Sequence, residues 1–439
     1  MSLLDRLRGN PDPEDDRPES SPRRQPEIIR GREGYASFSL AALRERIEAQ
    51  LELELAGRLD ILREDGDEAT CRELVAQVGD YVLTVESVPL TAPERQQLYA
   101  EVYSNVFGFG PLDLFLADDN VIGLTLDGAD HATVWRLDGS AETVSPPFED
   151  QAHLRRILER IAARGGLADL DAEPIVEVGA VLHDRPVRMA LVMPPFSPVI
   201  HVELRCHPRS AIGPDDLRAD GRLTVADEVL LKAIVASDAG VLIVGEPASG
   251  KTTLLDALLA WLPAGGVGVC VERAREMRLP EGLSRLSPVA PGGEEGPTTF
   301  AELFGKALDQ SPAVLVADEL RGDEALAVWQ ALNSESIRLV ATFRSSTEPA
   351  RLSSALQMLI RRGQQAIVQE ELQTRLVERL PFVVLVESGP KGVQIRGIAE
   401  WQVCDSALCL VMLTDRGRVT GTQPRHDLGL PADFWAAEA

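Results

Sequence analysis

The stretch that most narrows the folds open to this chain is Gly245-Glu246-Pro247-Ala248-Ser249-Gly250-Lys251-Thr252, a complete match to G-x-x-x-x-G-K-[ST]. The apolar run Val241-Leu242-Ile243-Val244 enters it, and a helical pattern from Lys251 to Leu262, with Leu254, Leu255, Leu258 and Leu259 on one face, leaves it. Strand, glycine-rich loop and helix in that order let backbone N–H groups turn inward at the positive end of a helix dipole, where they cradle an anion. The pattern predicts a loop that binds a nucleoside triphosphate, most simply ATP. Lys251 is placed for the β/γ oxygens and Thr252 for a Mg²⁺ ion, with Thr253 beside them. The plain alternative, a glycine-rich turn carrying an exposed lysine, leaves the flanking strand and helix unexplained.

Further along, Ala313-Val314-Leu315-Val316-Ala317 is an apolar strand that ends in two carboxylates, Asp318 and Glu319. A strand next to the loop strand would deliver its end to the γ-phosphate. Asp318 could then hold the magnesium shell while Glu319 orients or deprotonates an attacking water. The run ending at Val271 is followed by Glu272 and Glu276. Glu272 is a third candidate for the metal or the water, whereas Glu276 reads equally well as a helix-surface residue.

The rest of the chain frames this site. A length of 439 residues allows about two to three domains. Residues 1–36, rich in Pro, Asp, Glu and Arg, read as a disordered tether, because they hold too few apolar anchors to offset their ordering entropy. Leu40, Leu43, Ile47, Leu51, Leu55, Leu59 and Leu62 recur at helical spacing and predict one long helix; shorter helical patterns follow over 71–78 and 91–106. Residues 37–107 are therefore expected to form a helical bundle. Mixed strand and helix signals over 108–210 predict a small α/β domain, and the Pro-, Gly- and Asp-rich segment 211–224 a hinge. From 225 to 439 strands alternate with helices, which predicts a mostly parallel sheet wrapped by helices, with a hairpin over 382–398 at its edge.

Composition narrows the partners. With 69 acidic against 44 basic side chains the formal charge is -25, so no nucleic-acid partner is expected. The cysteines Cys71, Cys206, Cys270, Cys404 and Cys409 are scattered without a C-x-x-C, which signals neither a disulfide framework nor a zinc site and suits a reducing cytoplasm. No apolar run is long enough to cross a membrane, so membrane association is expected to be peripheral.

Beyond these patterns, Glu319-Leu320-Arg321-Gly322-Asp323-Glu324-Ala325, with Ala331-Leu332-Asn333 behind it, resembles the "GE-x-RG-x-EA … AMN" segment of type II/IV secretion ATPases, and in particular their CpaF-like branch, which powers tight-adherence and related pili. Phe107-Gly108-Phe109-Gly110-Pro111-Leu112 is similar to the family's "FGlGPL", and the run from Asp118 to Gly128 to its "DD-x-V-x-EI-x-VNG". The resemblance implies a RecA-like domain preceded by a helical bundle and a small α/β domain. It also implies a cytoplasmic homohexameric motor, peripheral at the inner membrane, working against a platform protein of a pilus or secretion system. On the matching positions it implies that Lys251 and Thr252 bind nucleotide and magnesium, that Glu319 is the catalytic glutamate, that Arg205 lies near the nucleotide, and that Glu272 is the first acid of the family's "ED" box.

The sequence also departs from that pattern. The second acid of the box is Arg273; the family's "LRMRPD" is Leu308-Asp309-Gln310-Ser311-Pro312-Ala313; and both family histidines are missing, from Asn333-Ser334-Glu335-Ser336 and from Ala341-Thr342-Phe343-Arg344-Ser345. Arg344 could sense the γ-phosphate as a permanent charge, although it cannot shuttle protons. Two functions are consistent with this mixture: an ATP-hydrolysing motor, or a divergent regulatory subunit that binds nucleotide and hydrolyses it little.

Overall fold

The computed structural model describes residues 39–59, 62–63, 67–144, 148–167, 169–171, 174–210, 212–262, 267–273, 275–287, 299–363, 366–389 and 392–436. The tether expected over 1–36 lies outside them. Among the described residues one compact unit takes 39–161 and 191–204, and the other 162–190 and 205–436.

In the first unit the helices Leu40–Glu54, Glu68–Glu86 and Ala92–Val106 bury one apolar cluster that includes Leu43, Ile47, Leu51, Val75, Leu98 and Val102. The leucine stripe does not make one long helix. The helix stops at Glu54, and a turn containing Gly57 at φ 77° redirects the chain, a conformation that glycine adopts without strain. Strands β1 (Val121–Asp127), β2 (His131–Arg136) and β3 (Ala141–Val144) pair antiparallel in sequence order.

The second unit begins with β4 (Ile175–Leu182) and β5 (Arg185–Val192), neighbours joined by a two-residue turn in which His183 and Asp184 have φ of 48° and 58°. β6 (His201–Cys206) runs from the first unit into this one, which it enters at Arg205. The segment 211–224, expected as an irregular hinge, contains the helix Pro214–Ala219, and its Leu217 and Leu223 join a buried apolar cluster.

The remaining strands form one nine-stranded sheet: β7 (Val241–Gly245), β8 (Gly268–Val271), β9 (Leu283–Leu286), β10 (Val314–Leu320), β11 (Arg338–Arg344), β12 (Phe382–Gly389), β13 (Gly392–Cys404), β14 (Ala407–Asp415) and β15 (Arg418–Val419). Their order is β15-β14-β13-β12-β7-β11-β10-β8-β9. From β12 to β9 every pairing is parallel, whereas β12 to β15 form an antiparallel meander. β7 is buried along its whole length, and apolar clusters cover both sheet faces, as a parallel sheet requires. This is a mostly parallel α/β sheet, wrapped by helices, with an antiparallel extension.

Three expectations need correction here. The β12–β13 hairpin is interior, because β14 and β15 continue the sheet beyond it. The helix after the loop ends at Leu259, three residues short of Leu262. Cys404 and Cys409 form a disulfide on the β13–β14 hairpin, diagonal to a register that sets Cys404 opposite Ala407 and Cys409 opposite Gln402, a pairing that cysteine spacing did not signal. No helix among the described residues is long and apolar enough to cross a membrane.

Candidate functional site: a phosphate loop facing an acidic strand end

The loop between β7 and the helix Lys251–Leu259 carries two left-handed residues, Ala248 at φ 60° and Gly250 at φ 83°, with Ser249 between them. Alternating backbone handedness turns successive N–H groups to one side and makes an anion-binding concavity. Ala248 gains nothing sterically from its conformation, and such outliers persist where a site over-determines them. Packing sets the glycines: a Cβ at Gly245 would lie 2.4 Å from Ser249 Oγ and 2.6 Å from Val386 O, and one at Gly250 would lie 2.5 Å from Val393 Cβ. Ser249 Oγ is buried with no hydrogen-bond partner. Lys251 Nζ donates to Glu246 O at 2.9 Å, so the ammonium folds back over its own loop. Glu246 and Pro247 form the outer wall of the turn, and Thr253 is half-buried in the first helical turn.

The acidic strand reaches this loop by a route the sequence reading did not foresee. β10 is not next to β7; β11 lies between them, and its Arg344 pairs in register with Gly245. The link is Thr342 on β11, which is fully buried. Its Oγ1 donates to Asp318 Oδ1 at 3.0 Å and accepts from Glu319 N at 2.7 Å. Thr252 Oγ1 donates to the same Asp318 oxygen at 3.1 Å. One carboxylate oxygen thus joins the loop helix, β11 and β10.

Glu319 has φ 57°, where the β10–β11 register slips between Ala317 and Leu320. A non-glycine residue held there costs about 1–3 kcal/mol. The loop that follows holds it: Glu324, almost fully buried, accepts from Arg321 N at 2.5 Å and Gly322 N at 3.0 Å. Arg273, where the family pattern has an acid, donates to Glu319 O at 3.1 Å and Glu324 Oε2 at 3.1 Å and stacks 4.1 Å over the Phe300 ring. The basic substitution therefore braces the acidic loop from below.

Charges around the carboxylates separate their protonation. Burial beside Glu276 and Glu319 pushes Asp318 up to about 6. Burial would raise Glu319 as well, but the Arg321, Arg188 and Lys251 charges outweigh it and hold the group at about 2. Burial also lowers Lys251, with Glu319 and Asp318 opposing the shift and Arg344 and Arg205 reinforcing it. Arg205, on β6, is thus within electrostatic reach of the lysine.

Glu272 is fully buried and has other partners: Arg285 Nε at 2.6 Å and the N–H groups of Glu276 and Met277 at 3.0 and 3.2 Å. Burial outweighs the Arg285 charge and pushes its carboxyl up to about 8. Glu276 is not a helix-surface residue. It is buried against Arg188 at 3.3 Å and His207 Nε2 at 3.2 Å. Arg188, His207, Thr342 and Glu177 escaped the sequence reading. A charged or hydroxyl side chain inside an otherwise apolar strand, as at Arg188 in β5 and Thr342 in β11, is the signal that could have exposed two of them.

Residues 176–367 match the model of the family described as type II/IV secretion system protein. Over 238 residues the chain is 29% identical to a Mycobacterium tuberculosis protein named for conjugal transfer, covering 52% of this chain and 66% of that one. Over 193 residues it is 29% identical to the type IV secretion system protein PtlH of Bordetella pertussis, covering 43% of this chain and 57% of that one. The match thus spans somewhat under two thirds of these relatives' own length. The crystal structure of the pilus retraction motor PilT with bound ADP aligns over 65% of this chain and 80% of that chain, at a TM-score of 0.48 and 15% identity. Over the segment that carries the phosphate loop and the acidic strand, the chain is related to the type II/IV secretion system family.

Proposed function

We propose that this chain binds ATP with Mg²⁺ at Gly245–Thr252 and hydrolyses it, as a motor subunit of a type II/IV secretion or pilus-assembly system of the CpaF-like branch. The observation that carries this reading is the convergence of Lys251, Thr252, Asp318 and Glu319 at one end of the sheet, where Thr252 and Thr342 both donate to one Asp318 oxygen and Thr342 accepts from Glu319 N. The residues fit the ligand. The alternating-handed loop and the unpartnered, buried Ser249 hydroxyl suit phosphate oxygens, and Lys251 can exchange Glu246 O for a phosphate.

Thr252 and Asp318 would hold Mg²⁺, which when bound supplies charge neutralisation on the phosphates. Glu319, ionised and braced by its loop, orients the attacking water and takes its proton. Arg205 and Arg344 add positive charge beside Lys251. Glu272 contributes by fixing the backbone at Glu276 and Met277. In this reading the subunits form a homohexamer at the cytoplasmic face of the inner membrane and act on a platform protein, and the formal charge of -25 favours protein over nucleic-acid partners.

The engagement of Glu319 by arginine favours a second reading, a nucleotide-binding regulatory subunit with little turnover. Steady-state ATP hydrolysis by the full chain, beside Glu319→Gln and Lys251→Ala, decides between them. The motor reading expects Lys251→Ala to lose nucleotide binding and Glu319→Gln to lose turnover while still binding. Equal rates for wild type and Glu319→Gln, with binding retained, favour the regulatory subunit.

A further inference from the structure

Past the end of β6 the chain runs as irregular backbone through His207, Pro208 and Arg209, just after it has entered the second unit at Arg205. Backbone outside a helix or ladder must find its hydrogen-bond partners elsewhere. Here arginine side chains supply them to three consecutive carbonyls. Arg185, almost fully buried, donates from Nε to His207 O at 2.9 Å. Arg278 Nη2 donates to Pro208 O at 2.7 Å and also to Arg209 O.

Arg278 has a second attachment. Its backbone N–H donates to Asp256 Oδ1 at 2.9 Å, and Asp256 lies on the helix Lys251–Leu259 that follows the phosphate loop. The main chain of one residue is thus fastened to the loop helix while its side chain holds the segment 207–209. The stretch before Arg278 is itself pinned: Glu272 accepts from Glu276 N and Met277 N, and Arg285 Nη2 donates to Met277 O. Glu276 Oε2 also stands 3.2 Å from His207 Nε2.

We propose, resting on the nucleotide-binding reading of Gly245–Thr252, that Arg278 is a positioning residue that passes occupancy of the phosphate loop to residues 207–209. Phosphate oxygens on the loop N–H groups satisfy the N-terminus of a nine-residue helix, which then frays less. Asp256, in the second turn of that helix, holds Arg278 N more persistently in consequence, and the guanidinium holds the two carbonyls. The coupling is one of order rather than of displacement, and amide exchange reads it directly.

The test is hydrogen exchange over residues 205–210 of the full chain, with and without a saturating fluorescent, non-hydrolysable ATP analogue and Mg²⁺, on wild type, Arg278→Ala, Asp256→Ala and Asp256→Asn. In wild type the analogue is expected to slow exchange there about fivefold or more, the lower end for coupled sites. Arg278→Ala and Asp256→Ala should still bind the analogue, and each should bring that ratio to about one. Asp256→Asn keeps the acceptor oxygen and should keep the ratio. The Asp256 arm separates coupling from packing, because its bond is to the Arg278 main chain and its loss leaves the guanidinium bonds to Pro208 and Arg209 in place. A contact that only packs the segment would speed exchange in Arg278→Ala with and without nucleotide alike and leave the ratio in Asp256→Ala untouched. Should Arg278→Ala fail to fold, the two Asp256 variants decide. A ratio near one in wild type, or a ratio like wild type in either alanine variant, with the analogue bound, overturns the coupling and leaves the binding reading standing. A wild type that binds no analogue, seen as unchanged fluorescence, defeats both.

Discussion

Replacing Thr342 by Val removes a single oxygen from a fully buried site while conserving shape, so no cavity accompanies the loss. The hydroxyl accepts from Glu319 N at 2.7 Å and donates to Asp318 Oδ1 at 3.0 Å. Leaving the Glu319 N–H unpaired costs about 1–3 kcal/mol, and losing a hydrogen bond to a carboxylate costs about 1.5–3 kcal/mol. Because the two are coupled through one group, they are expected to total about 3 kcal/mol rather than their sum. For a unit of this size each kcal/mol moves the midpoint by roughly 2–4 °C, so calorimetry should show the transition of the P-loop unit lowered by roughly 6–12 °C. The same hydrogen bond holds Glu319 at φ 57°, so turnover should fall with stability. Thr342→Ser keeps the hydroxyl and should recover most of both. A Thr342→Val protein melting within about 1 °C of wild type, or a Ser variant melting as low as the Val variant, would refute the bridging role.

Three further changes test other parts of the structure. His153 is buried, with its ring edge-on to Phe148 at 5.6 Å, and burial lowers it from 6.5 to about 4. Its folded value lies below its unfolded one, so the stability it contributes is complete above about pH 6.5 and is lost as the pH falls toward 4; urea midpoints from about pH 7 to about pH 5 should drop in wild type and drop less in His153→Gln. Among glycines, a Cβ at Gly305 meets nothing within 4 Å in the helix Phe300–Asp309, and Gly305→Ala should stabilise by about 0.5–1 kcal/mol. At Gly240 a Cβ would lie 2.3 Å from Arg379 O and 2.9 Å from Leu339 O, so Gly240→Ala should destabilise by about 1–3 kcal/mol in the same denaturation assay.

Local chemistry made much of this site readable. The phosphate loop, its strand and its helix are contiguous, so eight residues and their flanks carry both the conformation and the ligand chemistry of Gly245 to Thr252. The apolar run into Asp318 and Glu319 likewise announced a buried strand that ends in carboxylates. The parallel part of the sheet followed from alternation of strands and helices, because each crossover needs a helix. Strand order did not follow. Which strand lies beside β7 depends on crossover routes, and β11 enters between β7 and β10 from a segment later in the chain than either. The sheet continues through β14 and β15 beyond the expected hairpin: Ala407 to Leu413 is an apolar run, and only its antiparallel pairing with β13 makes it part of the same sheet.

The sequence by itself determined that a phosphate loop and an acidic strand end exist, and that the chain is related to the secretion family over that segment. Tertiary structure alone decided what each carboxylate touches. Thr342, Arg321 and Arg188 reach Asp318 and Glu319 from two strands and a loop, Glu177 on β4 pairs with both arginines, and Arg273 braces that loop from elsewhere in the chain. Hydrogen bonds and ion pairs act over a few ångströms of space and are indifferent to sequence separation. The partners that set a carboxylate's charge and direction are therefore legible only once the strands are in register.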